Sequence, residues 1–208
     1  MLIDKVIKEV DFALKLLTTK SSPKRKSPGE KFKENTSRNQ PWTEMSVRLM
    51  RVNHTGEICA QGLYRGQLLF NKNPIVEKEL KSAASEEIDH LVWCENRIHN
   101  LGGKTSILNP IFYSGSLLLG AFSSLVDSKY NLGFLEETEK QVTTHLKEYI
   151  QKLPDEDQKS KEILKQMHQD EEKHQQTARN LGAKSLPINV KKIMRIFSKF
   201  MTKSTYLI

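Results

Sequence analysis

The sequence predicts an all-α protein built on a four-helix bundle. Three observations carry this. Apolar residues recur at steps of three and four over long stretches from Thr43 onward, strand signals are nearly absent, and Asn73-Pro74, Gly102-Gly103, Pro154 and Gly182 punctuate the chain between those stretches. Long amphipathic helices joined by mostly short connections bury one stripe each against the others. The 208 residues suffice for one domain of ordinary size with tails, and not comfortably for two.

The first helix expected, Leu2 to Leu17, places Ile3, Val6, Ile7, Val10, Leu14 and Leu17 at helical spacing. Asp4, Glu9 and Asp11 make it a poor mitochondrial transit peptide, and no secretory signal pattern occurs. Thr18 to Arg38 carries Lys20, Lys24, Arg25, Lys26, Lys31, Lys33 and Arg38 against Glu30 and Glu34. It is rich in Ser, Pro and Lys, lacks apolar periodicity and reads as a flexible linker. Residues 1–41 are thus an N-terminal amphipathic helix and basic linker, and residues 42–182 the bundle.

Within the bundle a helix is expected from Thr43 to Asn71, ahead of Asn73-Pro74, and a second from Ile75 to Leu101, stopped by Gly102-Gly103. Another covers Asn131 to Leu153, ended by Pro154. The last begins at Asp155, with Gln158 as a capping-box partner, and ends at Gly182.

The inward stripes hold the chemistry. They read Val47, Met50, His54, Glu57, Gln61, Tyr64, Leu68; then Leu80, Ala83, Glu87, His90, Cys94, Ile98, Leu101; then Leu132, Leu135, Glu139, Val142, Leu146, Tyr149, Leu153; then Ile163, Met167, Glu171, His174, Ala178, Leu181. Each stripe carries a glutamate near its middle. His90 and His174 follow theirs by three residues, one turn on and on the same face. A buried, unpaired carboxylate costs several kcal/mol, and no Lys or Arg occupies these stripes. Two divalent cations would neutralise Glu57, Glu87, Glu139 and Glu171, with His90 and His174 as neutral ligands. Carboxylate and imidazole without thiolate suit iron or manganese. This is the ligand pattern of ferritin-like di-metal bundles. An E-x-x-H pair alone is weak, but both lie on apolar stripes, in the order Glu, E-x-x-H, Glu, E-x-x-H, with separations of 30 residues (57 to 87) and 32 (139 to 171). The bland reading is solvated glutamates on misphased helices.

At these residues the chain resembles the demethoxyubiquinol hydroxylases of ubiquinone biosynthesis, the bacterial branch most closely. The likeness rests on Arg51-Val52-Asn53-His54-Thr55-Gly56-Glu57 with Tyr64-Arg65-Gly66-Gln67, Glu86-Glu87-Ile88-Asp89-His90, the surroundings of Asn109-Pro110, Glu137-Thr138-Glu139 with His145, and Asp170-Glu171-Glu172-Lys173-His174. It covers Trp42 to the C-terminus. The resemblance implies a di-iron monooxygenase that hydroxylates the ring of 2-polyprenyl-3-methyl-6-methoxy-1,4-benzoquinol with O2, beside ubiquinone-biosynthesis partner enzymes. It implies that Glu87 and Glu171 bridge the two Fe ions, that Glu57 and His90 complete one, and that Glu139 and His174 complete the other. The tyrosine that follows the third-helix histidine in eukaryotic members is Leu146 here, so a redox role for it does not transfer.

Around the ligands two readings stand for each residue. Asp170, Glu86 and Asp89 are candidates to hold the outer N–H of the histidines, or are solvated charges. His145 faces the site or the surface; His54 and Tyr64 serve the site or pack. Cys59 and Cys94 form no metal or redox pair and read as small core residues in a reduced compartment.

A polyprenyl quinol stays in the bilayer, which directs attention to Thr105 to Val126, an apolar insert without a charged residue. Its length permits a membrane span, but Asn109, Pro110, two glycines and five serines dilute it. The alternatives are a helix buried on the bundle or an interfacial segment, the favoured one, with Leu117, Leu118, Leu119, Phe122 and Leu125 lining a mouth for the substrate. Residues 183–208 are expected as a basic amphipathic C-terminal helix. Ile188, Ile193, Met194, Phe197, Phe200 and Met201 form its apolar face, ringed by Lys191, Lys192, Arg195, Lys199 and Lys203. It meets an anionic membrane surface or docks on the bundle.

The net charge of +8 fits neither a polytopic membrane protein, at 37% hydrophobic residues, nor a nucleic-acid module. The basic arm has only Phe32 among its charges, where nucleic-acid recognition interleaves aromatics. No GxGxxG or Walker loop is present, so no Rossmann-type dinucleotide domain is encoded. A soluble ferritin-like peroxidase or iron oxidase and a non-catalytic lipid-binding subunit are the rival functions. The expected location is the cytoplasmic face of the cell membrane, bound peripherally.

Overall fold

Helix signals dominate the chain, and helices are what it forms. A computed structural model describes residues 2–19, 21–33 and 40–208. Among them the elements are α1 (Leu2–Thr18), a 3₁₀ turn (Pro28–Lys31), α2 (Thr43–Phe70), α3 (Pro74–Asn100), α4 (Asn109–Ser124), α5 (Ser128–Lys152), α6 (Gln158–Asn180) and α7 (Ile188–Leu207). Helices α2, α3, α5 and α6 are the expected ferritin-like bundle, with α4 and α7 as the expected extra helices.

Local chemistry sets the helix ends. Asn73 caps α3 by accepting from the amides of Ile75 and Val76, and Pro74 follows at a position with no hydrogen bond to lose. Gly102, at φ +78°, and Gly182, at φ +89°, end α3 and α6 in the left-handed conformation that suits glycine. Asp127 caps α5 through the amide of Lys129. The start of α6 departs from expectation. Asp157, and not Asp155, caps it, accepting from the amide of Ser160 at 3.0 Å. The cause is tertiary: Arg97 on α3 donates to the same Asp157 oxygen at 2.7 Å and draws that carboxylate inside.

The four stripes point inward as expected, with only Leu68, Val142 and Leu181 half-buried. Their apolar residues form two clusters. Met50, Cys94, Ile98, Leu146, Leu164 and Met167 fill one half of the bundle; Tyr64, Leu80, Ala83, Leu132, Leu135 and Ala178 fill the other. The four glutamates lie between them in sequence along every helix, so the polar layer is closed above and below by packed side chains.

Helix α4 lies on α2 at glycine contacts. A Cβ on Gly66 would fall on the carbonyl of Leu117, and one on Gly120 on the carbonyl of Leu63. At 16 residues α4 is about 24 Å long. No described helix is long and apolar enough to cross a membrane, so the membrane-span alternative for 105–126 falls. One face of α4 packs inside at Phe112, Tyr113 and Ser116, while Ile111, Leu118, Phe122 and Leu125 are exposed. Helix α7 docks by Met201 and Thr205 and by ring contacts of Phe197 and Phe200 with Phe112, yet leaves Ile188, Ile193, Ile196 and Phe200 largely exposed.

The N-terminal region differs most from expectation. Helix α1 packs Phe12, Ala13, Leu16 and Leu17 against Ile58, Leu91 and Tyr113, and Glu9 grips Arg65. Its Ile7, Val10 and Leu14 point outward. Residues 21–33, expected as a flexible linker, are seated on the bundle through ion pairs and hydrogen bonds that hydrophobic periodicity does not reveal. The side chains of Ile3 and Val6, and Lys20, Glu34 and Arg38, lie outside the described residues.

Glycine at the α2–α4 contact is thus a packing requirement. Gly120→Val is expected to lower unfolding stability by about 3 kcal/mol. Gly56→Ala, whose added Cβ meets nothing within 4 Å, should raise it by about 0.5–1 kcal/mol. Urea unfolding followed by circular dichroism measures both; equal losses at the two positions would contradict the contact.

Candidate metal centre

The structure brings all six predicted ligand residues together. Glu57 comes from α2, Glu87 and His90 from α3, Glu139 from α5, and Glu171 and His174 from α6, and all are buried. Their ligand atoms form two groups, Glu57–Glu87–His90–Glu171 and Glu87–Glu139–Glu171–His174, each within 4.8 Å throughout. Glu87 and Glu171 belong to both. Each group is three carboxylates and one imidazole, the two related by an approximate twofold arrangement of the helical hairpins.

The E-x-x-H spacing sets the imidazole geometry. Nδ1 of His90 faces Glu87 Oε2 at 2.7 Å and Glu171 Oε1 at 3.3 Å. Nδ1 of His174 faces Glu171 Oε2 at 3.1 Å and Glu87 Oε1 at 3.3 Å. Both Nε2 atoms point away, His90 to Asp170 Oδ2 at 3.2 Å and His174 to Glu86 Oε2 at 3.6 Å. Asp170 therefore holds the outer N–H of His90 as a metal-bound histidine requires, while Glu86 only faces that of His174, each carboxylate lying on the opposite hairpin from its histidine. Asp89 instead binds Arg25.

Charge in this layer is frustrated without a cation. Burial, reinforced by Glu87 and Glu171, pushes the Glu57 carboxyl well above its ordinary range; burial with Glu171 and Glu87 does the same to Glu139. Burial also pushes Glu87 up, but His90 and His174 outweigh it and hold it well below. Burial opposes charge on the two imidazoles, yet Glu87 at His90 and Glu171 at His174 keep both protonated far above the usual histidine range. Glu87 Oε1 and Glu171 Oε1 are buried and accept no hydrogen bond. Glu87 and Glu171, shared by both groups and each with an oxygen that faces only an imidazole ion-pair partner in place of a hydrogen bond, fit ligands common to two cations, and the oxygen and nitrogen donor set suits iron or manganese.

The neighbouring candidates separate cleanly. Tyr64 belongs to the site, its hydroxyl donating to Glu139 Oε1. His54 is a packing residue: burial, with His99, brings its pKa down to about 3, and Asn109 lies 3.4 Å from its Nδ1. His145 stacks on Tyr149 with ring centroids 6.2 Å apart, outside the carboxylate groups. Cys94 is buried, and burial lifts the Cys59 thiol to about 12, so neither is a ready thiolate. Arg25, which contacts Asp89, Asp170 and His90, had no signal in the sequence beyond its place in a basic arm.

An apolar cavity of about 600 Å³ reaches this layer at Glu57. Its walls come from α2, α4, α5 and α7, with Leu118, Leu119 and Phe122 on one side and Val142, His145 and Phe197 on others. Three of the five residues expected to line a mouth do so. Leu117 instead packs with Ile58 and Tyr113, and Leu125 lies outside the lining.

Residues 44–205 match the family described as Ubiquinone biosynthesis protein COQ7. Similar proteins include the 3-demethoxyubiquinol 3-hydroxylase of Legionella pneumophila (strain Paris), 47% identical over 208 residues, covering 99% of this chain and 97% of that one. The protein of the same name from Polynucleobacter necessarius subsp. necessarius (strain STIR1) is 44% identical over 206 residues, covering 99% of each. That of Pseudomonas fluorescens (strain Pf0-1) is 46% identical over 213 residues, covering 99% and 96%. With a bundle whose carboxylates and imidazoles converge as the resemblance implied, and with relatives this similar along their whole length, the chain belongs to the COQ7 family of ubiquinone biosynthesis proteins.

Proposed function

We propose that this chain is a 3-demethoxyubiquinol 3-hydroxylase. Glu57, Glu87, His90, Glu139, Glu171 and His174 would hold two Fe ions, Glu87 and Glu171 serving both, and the chain hydroxylates the ring of a polyprenyl methoxy-methyl-benzoquinol with O2. The observation that carries this reading is the pair of four-ligand groups sharing Glu87 and Glu171 at the inner end of an apolar cavity. When bound, iron supplies the redox chemistry with O2 that side chains lack.

The chain's own residues perform the remaining tasks. Asp170 accepts the outward Nε2 proton of His90 and the Glu86 charge draws that of His174, which leaves each Nδ1 free as a ligand. The Tyr64 hydroxyl fixes one oxygen of Glu139. The packed clusters on either side of the layer close it except where the cavity reaches Glu57, which the bound substrate fills. In the cavity the ring sits toward Glu57, and the isoprenoid tail leaves along Leu118, Phe122 and Phe197. A soluble peroxidase or iron oxidase has no use for such a cavity.

The outer faces of α4 and α7 suit a peripheral site on the cytoplasmic face of the membrane. Ile111 and Ile196 are each 68% exposed and Phe122 75%. Lys192, Arg195, Lys199 and Lys203 lie on the same helix as Ile196 and complement anionic headgroups.

Given a short-chain demethoxyubiquinol, the iron-reconstituted chain should yield the hydroxylated quinol. Glu171→Ala should lower turnover by at least about 100-fold with helicity retained; undiminished product from that variant would refute its bridging role.

The apoprotein's stability should fall as pH rises from 6.5 to 8.5. Unfolded Glu57, Glu139, His90 and His174 have all lost their protons by the upper end of this window, whereas the folded chain retains them, so rising pH favours unfolding. Bound metal replaces those protons, so the melting temperature gained on loading should be larger at pH 8.5 than at 6.5. Melting curves with and without metal measure this, and an apoprotein that gains stability over the window contradicts the charge assignment.

Substituting Ile111 and Ile196 together by Glu should abolish flotation with anionic liposomes while leaving turnover of a water-soluble short-chain quinol within about twofold of the wild type. Unchanged flotation would count against these faces as the membrane contact.

A further inference from the structure

The two histidines are held unequally, and the N-terminal segment is the reason. Residues 21–33 precede the stretch matched by the family, 44–205. They cross the outside of the bundle from α3 to the start of α6. The amide of Lys24 donates to Asp89 Oδ1 at 2.6 Å and its Nζ to Ser85 Oγ at 2.6 Å. Trp93 Nε1 donates to the carbonyl of Arg25 at 3.2 Å, and the guanidinium lies 5.0 Å from the centre of that ring. At the far end Gly29 approaches the backbone of Lys159, and Lys31 pairs with Glu162 at 3.2 Å.

This anchoring aims one side chain at the metal centre. Arg25 Nε donates to Asp89 Oδ2 and Nη1 to Asp170 Oδ2, both at 2.8 Å, and Nη2 lies 3.4 Å from His90 Nε2. Asp170 Oδ2 is the oxygen facing His90 Nε2, while its Oδ1 accepts from Gln166 at 3.1 Å and Lys173 at 3.3 Å. Asp170 is thus a carboxylate held from four directions. Its counterpart Glu86 lies 3.6 Å from His174 Nε2, is 40% exposed, and shares no hydrogen bond with Arg25 among the described residues. A planar guanidinium fork can fix two carboxylates at once, whereas an ammonium acts as a point charge.

On the two-metal reading proposed above, we infer that Arg25 is a positioning residue that makes the two metal positions unequal. It fixes Asp170, Asp170 fixes the His90 imidazole with Nδ1 toward Glu57, Glu87 and Glu171, and this half takes metal first and more tightly. The Glu139–His174 half, resting on exposed Glu86, takes the second ion. A segment outside the bundle therefore sets the order of loading.

Anaerobic titration with ⁵⁷Fe(II), read by chelator competition and Mössbauer spectra at one and two equivalents, tests this. The wild type should show one dominant ferrous doublet at one equivalent and a second doublet at two. Arg25→Ala should weaken the first step about 10-fold or more and spread one equivalent over both doublets, with Arg25→Lys recovering part of the loss. Glu86→Gln should leave the first step unchanged and weaken the second. If Arg25→Ala loses helicity as apoprotein, Arg25→Gln, which keeps a side chain over Trp93 without charge, should show the same loss. Wild-type affinity and a single doublet in a folded, uncharged variant would overturn the inference, as would Glu86→Gln weakening the first step. A wild-type chain that takes up no iron fails the two-metal reading itself and the inference with it.

Discussion

Four carboxylates share one buried layer, and the rest of the molecule is organised around what that requires. Glu57, Glu87, Glu139 and Glu171 are buried in two groups completed by the imidazoles of His90 and His174. Protons on Glu57 and Glu139 and on the two histidines relieve the layer only in part, since Glu87 Oε1 and Glu171 Oε1 still accept no hydrogen bond. Cations would resolve the conflict, and holding them would require four helices to bring one carboxylate each to the same height. The capped helix starts at Asn73 and Asp127 and the glycine stops at Gly102 and Gly182 fix that register.

Much of this was legible in the sequence because burial leaves a period. The stripes of α2, α3, α5 and α6 alternate at 3.6 residues, so the polar residues interrupting them had to be inside, and the i, i+3 spacing put each histidine beside its glutamate. Asp170 and Glu86 were visible as candidates for the outer N–H, and the crosswise pairing with His90 and His174 emerges only in the fold. What left no period was not legible. Arg25 meets Asp170 across 145 residues by hydrogen bonds alone, and its segment has the composition of a linker. The start of α6 was misplaced because a buried arginine, Arg97, selects Asp157 over Asp155, a tertiary choice between two good caps.

Helices α4 and α7 wall the cavity that reaches the layer, and on the proposed reading they join it to the lipid phase. Their apolar residues line the cavity that ends at Glu57, and Leu118, Phe122 and Ile193 at its open edge are exposed together with Ile111 and Ile196. The glycines of the α2–α4 contact bring α4 close enough for its side chains to wall that cavity. Position explains the excess positive charge as well. Part of it is spent internally, Arg25 on Asp89 and Asp170 and Lys31 on Glu162, while the basic residues of α7 remain outside beside exposed isoleucines. The arm that reads as a flexible linker in composition is, at Arg25, part of the environment of the candidate metal ligands.

The central claim is that the carboxylate layer is a two-iron site. Iron K-edge X-ray absorption on the anaerobically loaded chain tests it most directly. The expected spectrum has only nitrogen and oxygen in the first coordination sphere and a second iron within about 4 Å of the absorber. A sulfur scatterer, or isolated iron with no metal neighbour at full loading, would contradict it.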